Sequence, residues 1–195
     1  LLNNLMTFQR LWLIGWLLVL SFMATIALGV HPEWAVYGMH GQFYRSWDWL
    51  SVGLQFLFYQ FFHGGVLHLL SNAFFLILIG IGVQYAMGVR RFFGMFLFCT
   101  VFVGAILLLT SDIPTIGMSG FAMTVLAYYT VMLWSVKNPQ WKSGLVLIGI
   151  NIFIWLDPSI SLGGHLWGAV AGGLFWWIED GFFKRKSSSF QLGWK

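Results

Sequence analysis

Charged residues and cysteine are both scarce in this sequence. Asp, Glu, Lys and Arg make up 8% of the 195 residues and 59% are apolar, whereas about 25% of the residues in soluble domains are charged. So little charge excludes a soluble globular domain. The single cysteine, Cys99, excludes a disulfide framework within the chain. We therefore expect an all-α membrane protein that forms one domain over residues 1–195.

The net charge of +4 does not indicate a nucleic-acid partner. The basic residues form no stripe that could follow a phosphate backbone, and they flank apolar segments instead. The printed sequence begins with Leu1, which leaves open a further domain upstream of it. The lipid bilayer is the expected surrounding of the part in hand.

Six apolar segments are long enough to cross, or nearly cross, about 30 Å of hydrocarbon at about 1.5 Å per residue. They cover residues 11–30, 66–87, 92–110, 117–136, 141–156 and 164–183. Between the first two, residues 31–62 carry a few charged residues among many aromatic ones. Trp and Tyr favour the headgroup level of a bilayer, so we expect this long first loop to lie partly within one leaflet.

Lys and Arg fall almost entirely on one side of these six segments, with Arg45 as the exception. By the positive-inside rule, both termini are expected in the cytoplasm, and residues 184–195 form a basic cytoplasmic tail. The residues on this side are Arg10, Arg90, Arg91, Lys137, Lys142, Lys184, Arg185, Lys186 and Lys195.

Polar side chains are rare within the apolar segments, where they are costly and often functional. In the expected orientation, four of them from three separate segments share the outer leaflet. These are His68, Asn72, Ser119 and His165. His68 and Asn72 lie about 40° apart on one helix face, whereas His63 is about 140° from His68 and points elsewhere or precedes the helix. Thr124 and Asn151 have no such company and are interpreted as packing residues.

Ser119 is the candidate nucleophile. It lies between Gly117 and Gly120, which let the backbone approach a substrate, and amides at a helix start can stabilise an oxyanion. His68 and Asn72 are candidate donors to the same oxyanion. Each such donor typically contributes about 3 kcal/mol of barrier lowering.

His165 is the candidate base. Gly168 and Gly172 lie on nearly the same helix face as His165, and glycines four residues apart permit a neighbouring helix to approach closely. Such a helix could bring a serine within hydrogen-bond reach of the imidazole. No acidic residue occupies the outer half of any apolar segment, so we expect a Ser/His dyad and not a triad.

Three motifs make the sequence resemble the rhomboid family, over nearly the whole chain. Residues 117–120, Gly-Met-Ser-Gly, are similar to the family's Gly-x-Ser-Gly nucleophile motif. Residues 165–172 resemble its His-x-x-Gly-x-x-x-Gly base motif, and residues 68–72 resemble its His-x-x-x-Asn oxyanion motif. The three together, in this order and on alternate segments, are far more specific than any one of them.

The resemblance implies an intramembrane serine endopeptidase that cleaves transmembrane or juxtamembrane segments of other membrane proteins without a metal or other cofactor. It implies that His165 takes the proton of Ser119, and that the Ser119 amide joins His68 and Asn72 at the oxyanion. A six-transmembrane-helix bundle is implied as well, with substrate entry beside the fifth segment. The expected location is the bacterial inner membrane, with the active site toward the outer leaflet.

Two positions depart from the usual family pattern. Met123 stands where a Tyr is common, and Gln84 stands where a Glu is common. One alternative is therefore a catalytically inactive rhomboid-like binder of client membrane helices. Another is a membrane metalloenzyme with His63, His68 and His165 as ligands, although no carboxylate is near them within a segment.

Overall fold

The computed structural model describes residues 2–153 and 161–183, with side chains described in residues 12–153 and 161–180. These ranges are all-helical and contain no β-strand, which confirms the predicted fold class. The elements are α1 (Leu2–Val30), a 3-10 helix (Pro32–Tyr37), α2 (Gln42–Arg45), α3 (Trp49–Phe58), α4 (Val66–Phe75), a π-helical segment (Leu76–Gly80), α5 (Ile81–Met87), α6 (Val89–Thr110), α7 (Ser119–Ser135), α8 (Trp141–Phe153) and α9 (Leu162–Phe183). The end of the fifth apolar segment, 154–156, and the predicted basic tail, 184–195, lie outside the described residues.

Three helical stretches are long and apolar enough to cross a membrane: Trp12–Val30, Val66–Met87 and Val89–Thr110. They carry exposed large apolar side chains, among them Trp16 and Leu78. Exposure of this kind is stable where lipid and not water covers the helix surface. The chain is an integral membrane protein.

The stretch from residue 66 to residue 87 is helical throughout, but it contains a π-helical turn. α4 ends at Phe75, the π-helical segment covers Leu76–Gly80, and α5 begins at Ile81. A π turn holds more residues than an α turn, so the residues beyond it are rotated relative to an uninterrupted α-helix. Gln84, beyond this turn, is buried against α1, where its Oε1 accepts a hydrogen bond from the Ile14 amide at 3.3 Å.

The first loop folds against the connection that leads from α6 into α7. Met39 and Thr115 exchange two backbone hydrogen bonds, of 2.8 and 3.0 Å. Arg45 forms an ion pair with Asp112, with a distance of 2.6 Å between nitrogen and oxygen. These contacts fix the approach of the chain to Ser119, the first residue of α7.

α7 and α9 pack backbone against backbone. A Cβ atom at Gly168 would overlap the carbonyl oxygen of Gly120, and one at Gly172 would overlap the carbonyl oxygen of Thr124. The Thr124 hydroxyl donates a hydrogen bond to the Gly168 carbonyl at 2.9 Å. The absence of side chains at the two glycines on α9 therefore sets the distance between the two helices.

A polar cluster joins the other end of the same helices. Glu179 on α9 accepts hydrogen bonds from the Tyr128 hydroxyl on α7 and, at 2.9 Å, from the Arg91 guanidinium on α6. The Glu179 side chain is largely buried. The cluster ties α6, α7 and α9 together at the end remote from Ser119.

Candidate active site

Ser119 begins α7 directly after a backbone turn that only glycine adopts easily. Gly117 has a φ of +116°, a region that side-chain-bearing residues rarely occupy. A Cβ atom there would also lie 2.6 Å from Cε1 of His68. Gly117 is therefore required both by the turn and by the close contact with the histidine.

The backbone before Ser119 is held by the chain segment that precedes α4. The Gly117 amide donates to the Tyr59 carbonyl at 2.8 Å, and the Met118 amide donates to His63 Nε2 at 3.3 Å. The Ser119 amide lies in the first turn of α7, where N–H groups have no acceptor within the helix. It is therefore free to bind an oxyanion.

His63 positions this turn and does not enter the cavity beside Ser119. It precedes α4, one of the two placements expected from the sequence, and its Nδ1 lies 3.0 Å from the Phe61 carbonyl. Burial, followed by the nearby His68, lowers the pKa of His63 to about 4, so the ring is neutral near pH 7. Both ring nitrogens are engaged by the backbone, which argues against His63 as a metal ligand.

His165 lies in the first turn of α9, and its ring is oriented by a neighbouring helix. Nδ1 is 3.0 Å from the Asn151 carbonyl oxygen on α8. A carbonyl oxygen can only accept, so Nδ1 carries the proton and Nε2 keeps its lone pair. This is the tautomer that a general base requires.

His68 has the opposite tautomer. Its Nδ1 lies 3.4 Å from the Gly64 amide, which donates to it, so the neutral ring carries its proton on Nε2. That nitrogen would lie 2.8 Å from a Cβ built at Gly117. His68 therefore offers an N–H donor to the turn that carries Ser119.

Asn72 offers a second donor at the same place. It lies one turn after His68 on α4 and is buried, and its Nδ2 has no hydrogen-bond partner within the described part of the chain. An unpaired buried amide is costly, typically about 1–3 kcal/mol. An oxyanion beside Ser119 would satisfy it.

A cavity of about 560 Å³ brings the four predicted residues together. Ser119, His68, Asn72 and His165 all line it, and so does Asn151. No hydrogen bond joins the Ser119 and His165 side chains in the described structure, and such bonds often tighten only when substrate binds. The predicted convergence of three separate segments is thus present in the fold.

The model of one protein family, the rhomboid domain, matches residues 40–180, which is well over half of the chain. The chain belongs to the rhomboid family. Rhomboid proteins are generally intramembrane serine proteases that act on membrane-protein substrates in the bilayer, and the family also includes inactive members. A search among curated proteins finds no match.

All four predicted residues lie within the rhomboid match, but the prediction missed the part played by Asn151. It was interpreted as a packing residue, and its Nδ2 does bond the Leu147 carbonyl within α8 at 2.8 Å. Its own carbonyl nevertheless orients His165. A backbone carbonyl is present in every residue, so the sequence carries no signal of this contact.

The two departures from the rhomboid pattern lie in different places. Met123 is buried and lines the cavity, one helical turn beyond Ser119. Gln84 lies on α5 and bonds the backbone of α1, and it does not line the cavity. Only Met123 is therefore placed to influence a bound substrate.

Among the described residues, no cluster of three or more His, Cys, Asp or Glu side chains could hold a metal ion. The alternative of a metal centre required His63, His68 and His165 to converge. His63 instead bonds the backbone of the turn before Ser119, and its ring stacks edge-on against His68 at 5.0 Å between centroids.

Proposed function

We propose that this rhomboid protein is an intramembrane serine endopeptidase with Ser119 as nucleophile and His165 as general base. The observation that carries the proposal is the bond from His165 Nδ1 to the Asn151 carbonyl, which leaves Nε2 unprotonated in the cavity that Ser119 lines. A serine hydroxyl is a weak nucleophile until a neighbouring base takes its proton.

In the proposed reaction, His165 Nε2 accepts the Ser119 proton as Oγ attacks the scissile carbonyl. The negative charge that develops on the carbonyl oxygen is stabilised by His68 Nε2–H, Asn72 Nδ2–H and the Ser119 amide. His165 then gives the proton to the departing nitrogen, and an acyl-enzyme forms. Water, activated by the same imidazole, hydrolyses the ester and restores Ser119.

We also propose that the single domain over residues 1–195 crosses the membrane six times. The cytoplasmic side would hold both termini, and the cavity would lie toward the outer leaflet of a bacterial inner membrane. The asymmetry of Lys and Arg supports this orientation. Substrates would be transmembrane segments that enter beside α8, where Asn151 lines the cavity, and residues 31–62 would lie partly in the bilayer.

The direct test is reconstitution of the protein in liposomes with a generic single-span substrate. We expect a cleaved fragment that still appears when a metal chelator is present, and a fluorophosphonate probe that labels Ser119 alone, as located by peptide mass spectrometry. Loss of cleavage with chelator would support a metal centre. Binding of several substrates without cleavage or labelling would support the inactive binder.

Asn72→Ala tests the oxyanion site. We expect kcat to fall by about 10²–10³, with KM little changed, because the lost donor acts mainly on the charged transition state. Folding should not suffer, since Asn72 Nδ2 has no partner in the described structure. The cleavage kinetics of the reconstituted protein give both constants.

Asn151→Ala is the matched control for Asn72→Ala. It removes an amide that also lines the cavity but bonds only the Leu147 carbonyl, and it keeps the backbone carbonyl that holds His165. We expect activity within a few-fold of the wild type. Equal losses in the two variants would contradict the assignment of Asn72 to the oxyanion.

A further inference from the structure

We propose that the substrate residue whose carbonyl Ser119 attacks carries a bulky apolar side chain. That side chain would occupy the part of the cavity lined by Phe75, Ala122, Met123 and Leu126, here called the apolar recess. The inference rests on the proposed function and deepens it, because it names the class of residue at which the protein cuts.

The apolar recess extends from Ser119 along one face of α7. Ala122, Met123 and Leu126 follow Ser119 by three, four and seven residues, the spacing that places side chains on one side of a helix. At about 1.5 Å per residue, Leu126 lies roughly 10 Å along the axis from Ser119. The recess is therefore deep as well as apolar.

Phe75 forms the wall of the recess on the opposite side. It is the last residue of α4 and follows Asn72 by three residues, so it lies one turn beyond the candidate oxyanion donors. The recess thus begins where the donors end, between α4 and α7. A side chain could enter it while the carbonyl of the same residue stays at the donors.

The direction of the attacked residue follows from the geometry of the tetrahedral intermediate. Its central carbon carries the Ser119 oxygen, the oxyanion facing His68 and Asn72, the departing nitrogen near His165, and the Cα of the attacked residue. The first three substituents occupy the polar end of the cavity. The Cα and its side chain are left with the apolar recess.

The size and chemistry of the recess determine which side chains fit. A cavity of about 150 Å³ with apolar walls suffices to bind benzene, and the whole cavity here is about 560 Å³. No Asp, Glu, Lys or Arg of the described residues lines it. Burial of Leu, Met or Phe is therefore favourable, whereas a polar side chain would find no partner among the four recess walls.

A series of substrates tests the inference. The cleavage position of one single-span substrate is mapped by mass spectrometry, and the residue before the cut is then varied among Ala, Gln, Leu and Phe. We expect kcat/KM for Leu and Phe to exceed that for Ala by about tenfold or more, since one or more methylene groups in an apolar pocket have this effect. Gln should be cleaved most slowly.

The outcomes separate this inference from the proposed function. Cleavage of the Ala substrate as fast as, or faster than, the Leu and Phe substrates would overturn the inference and leave the serine protease assignment standing. Absence of cleavage for every member of the series would overturn both.

Two variants change the recess in opposite directions. Ala122→Leu fills it and is expected to lower the ratio of Phe to Ala cleavage about tenfold. The ratio does not depend on how much of the protein folds. Leu126→Ala enlarges the recess and should favour Trp over Phe, and Leu133→Ala, the same change on α7 outside the cavity, should leave every ratio unchanged. Unchanged ratios in both recess variants would overturn the inference.

Discussion

Ser119→Ala is expected to lower the rate of substrate cleavage by at least about four orders of magnitude, to the level of the uncatalysed background. Alanine removes the only atom that forms the acyl-enzyme and leaves the backbone amide in place. His165→Ala should have a comparable effect, because the hydroxyl then has no base within reach. Since the two residues act as a unit, the double variant should lose no more than either single one. Product formation over days in liposomes measures losses of this size.

Ser71→Ala is the matched control for this pair. Ser71 lines the same cavity, but its hydroxyl donates to the His68 carbonyl at 2.9 Å within α4. We expect its removal to change activity by no more than a few-fold. Substrate cleavage that persists in Ser119→Ala at a tenth of the wild-type rate would show that another group is the nucleophile.

Gly168→Ala is expected to reduce activity about a hundredfold and to lower the unfolding temperature in detergent. The added Cβ would overlap backbone atoms of Gly120, which cannot rotate away as a side chain could. α7 and α9 would have to separate, the Thr124–Gly168 hydrogen bond would lengthen, and His165 would move away from Ser119. A misplacement of about 1 Å can cost a factor of about 10² in rate, and overpacking typically costs about 1–3 kcal/mol of stability.

Gly173→Ala is the control for Gly168→Ala, on the same helix. A Cβ there meets nothing within 4 Å, and alanine favours a helix over glycine by about 1 kcal/mol in solution. We expect unaltered activity and equal or higher stability. If both substitutions lowered activity alike, general weakening of α9 and not the contact with Gly120 would be responsible.

The sequence was informative where a side chain, or the lack of one, carries the structure. The apolar stretch 66–87 coincides with the helical stretch from Val66 to Met87, and long apolar runs leave few alternatives in lipid. His68 and Asn72 share a face of α4 because helical rotation is regular over one turn. Gly168 could be placed at a close contact because glycine has little other use in the middle of a helix.

The sequence was silent where the backbone carries the structure. The π-helical segment Leu76–Gly80 consists of ordinary apolar residues, and the Asn151 carbonyl that holds His165 has no residue-specific signal. His63 was visible as a polar residue, but its hold on the Met118 amide depends on a loop whose path only the fold defines. Contacts of this kind follow from tertiary structure and from no local pattern.

The backbone contact between α7 and α9 has a consequence for how the protein responds to its lipid. A bilayer of different thickness changes the tilt of helices that slide over one another on flexible side chains. At Gly168 and Gly120, main-chain atoms meet main-chain atoms, so neither helix can shift without breaking the contact. Ser119 and His165 therefore travel as one rigid body. Lipid thickness would act on how a substrate reaches the pair, while the chemistry between them would be the same in thin and thick membranes.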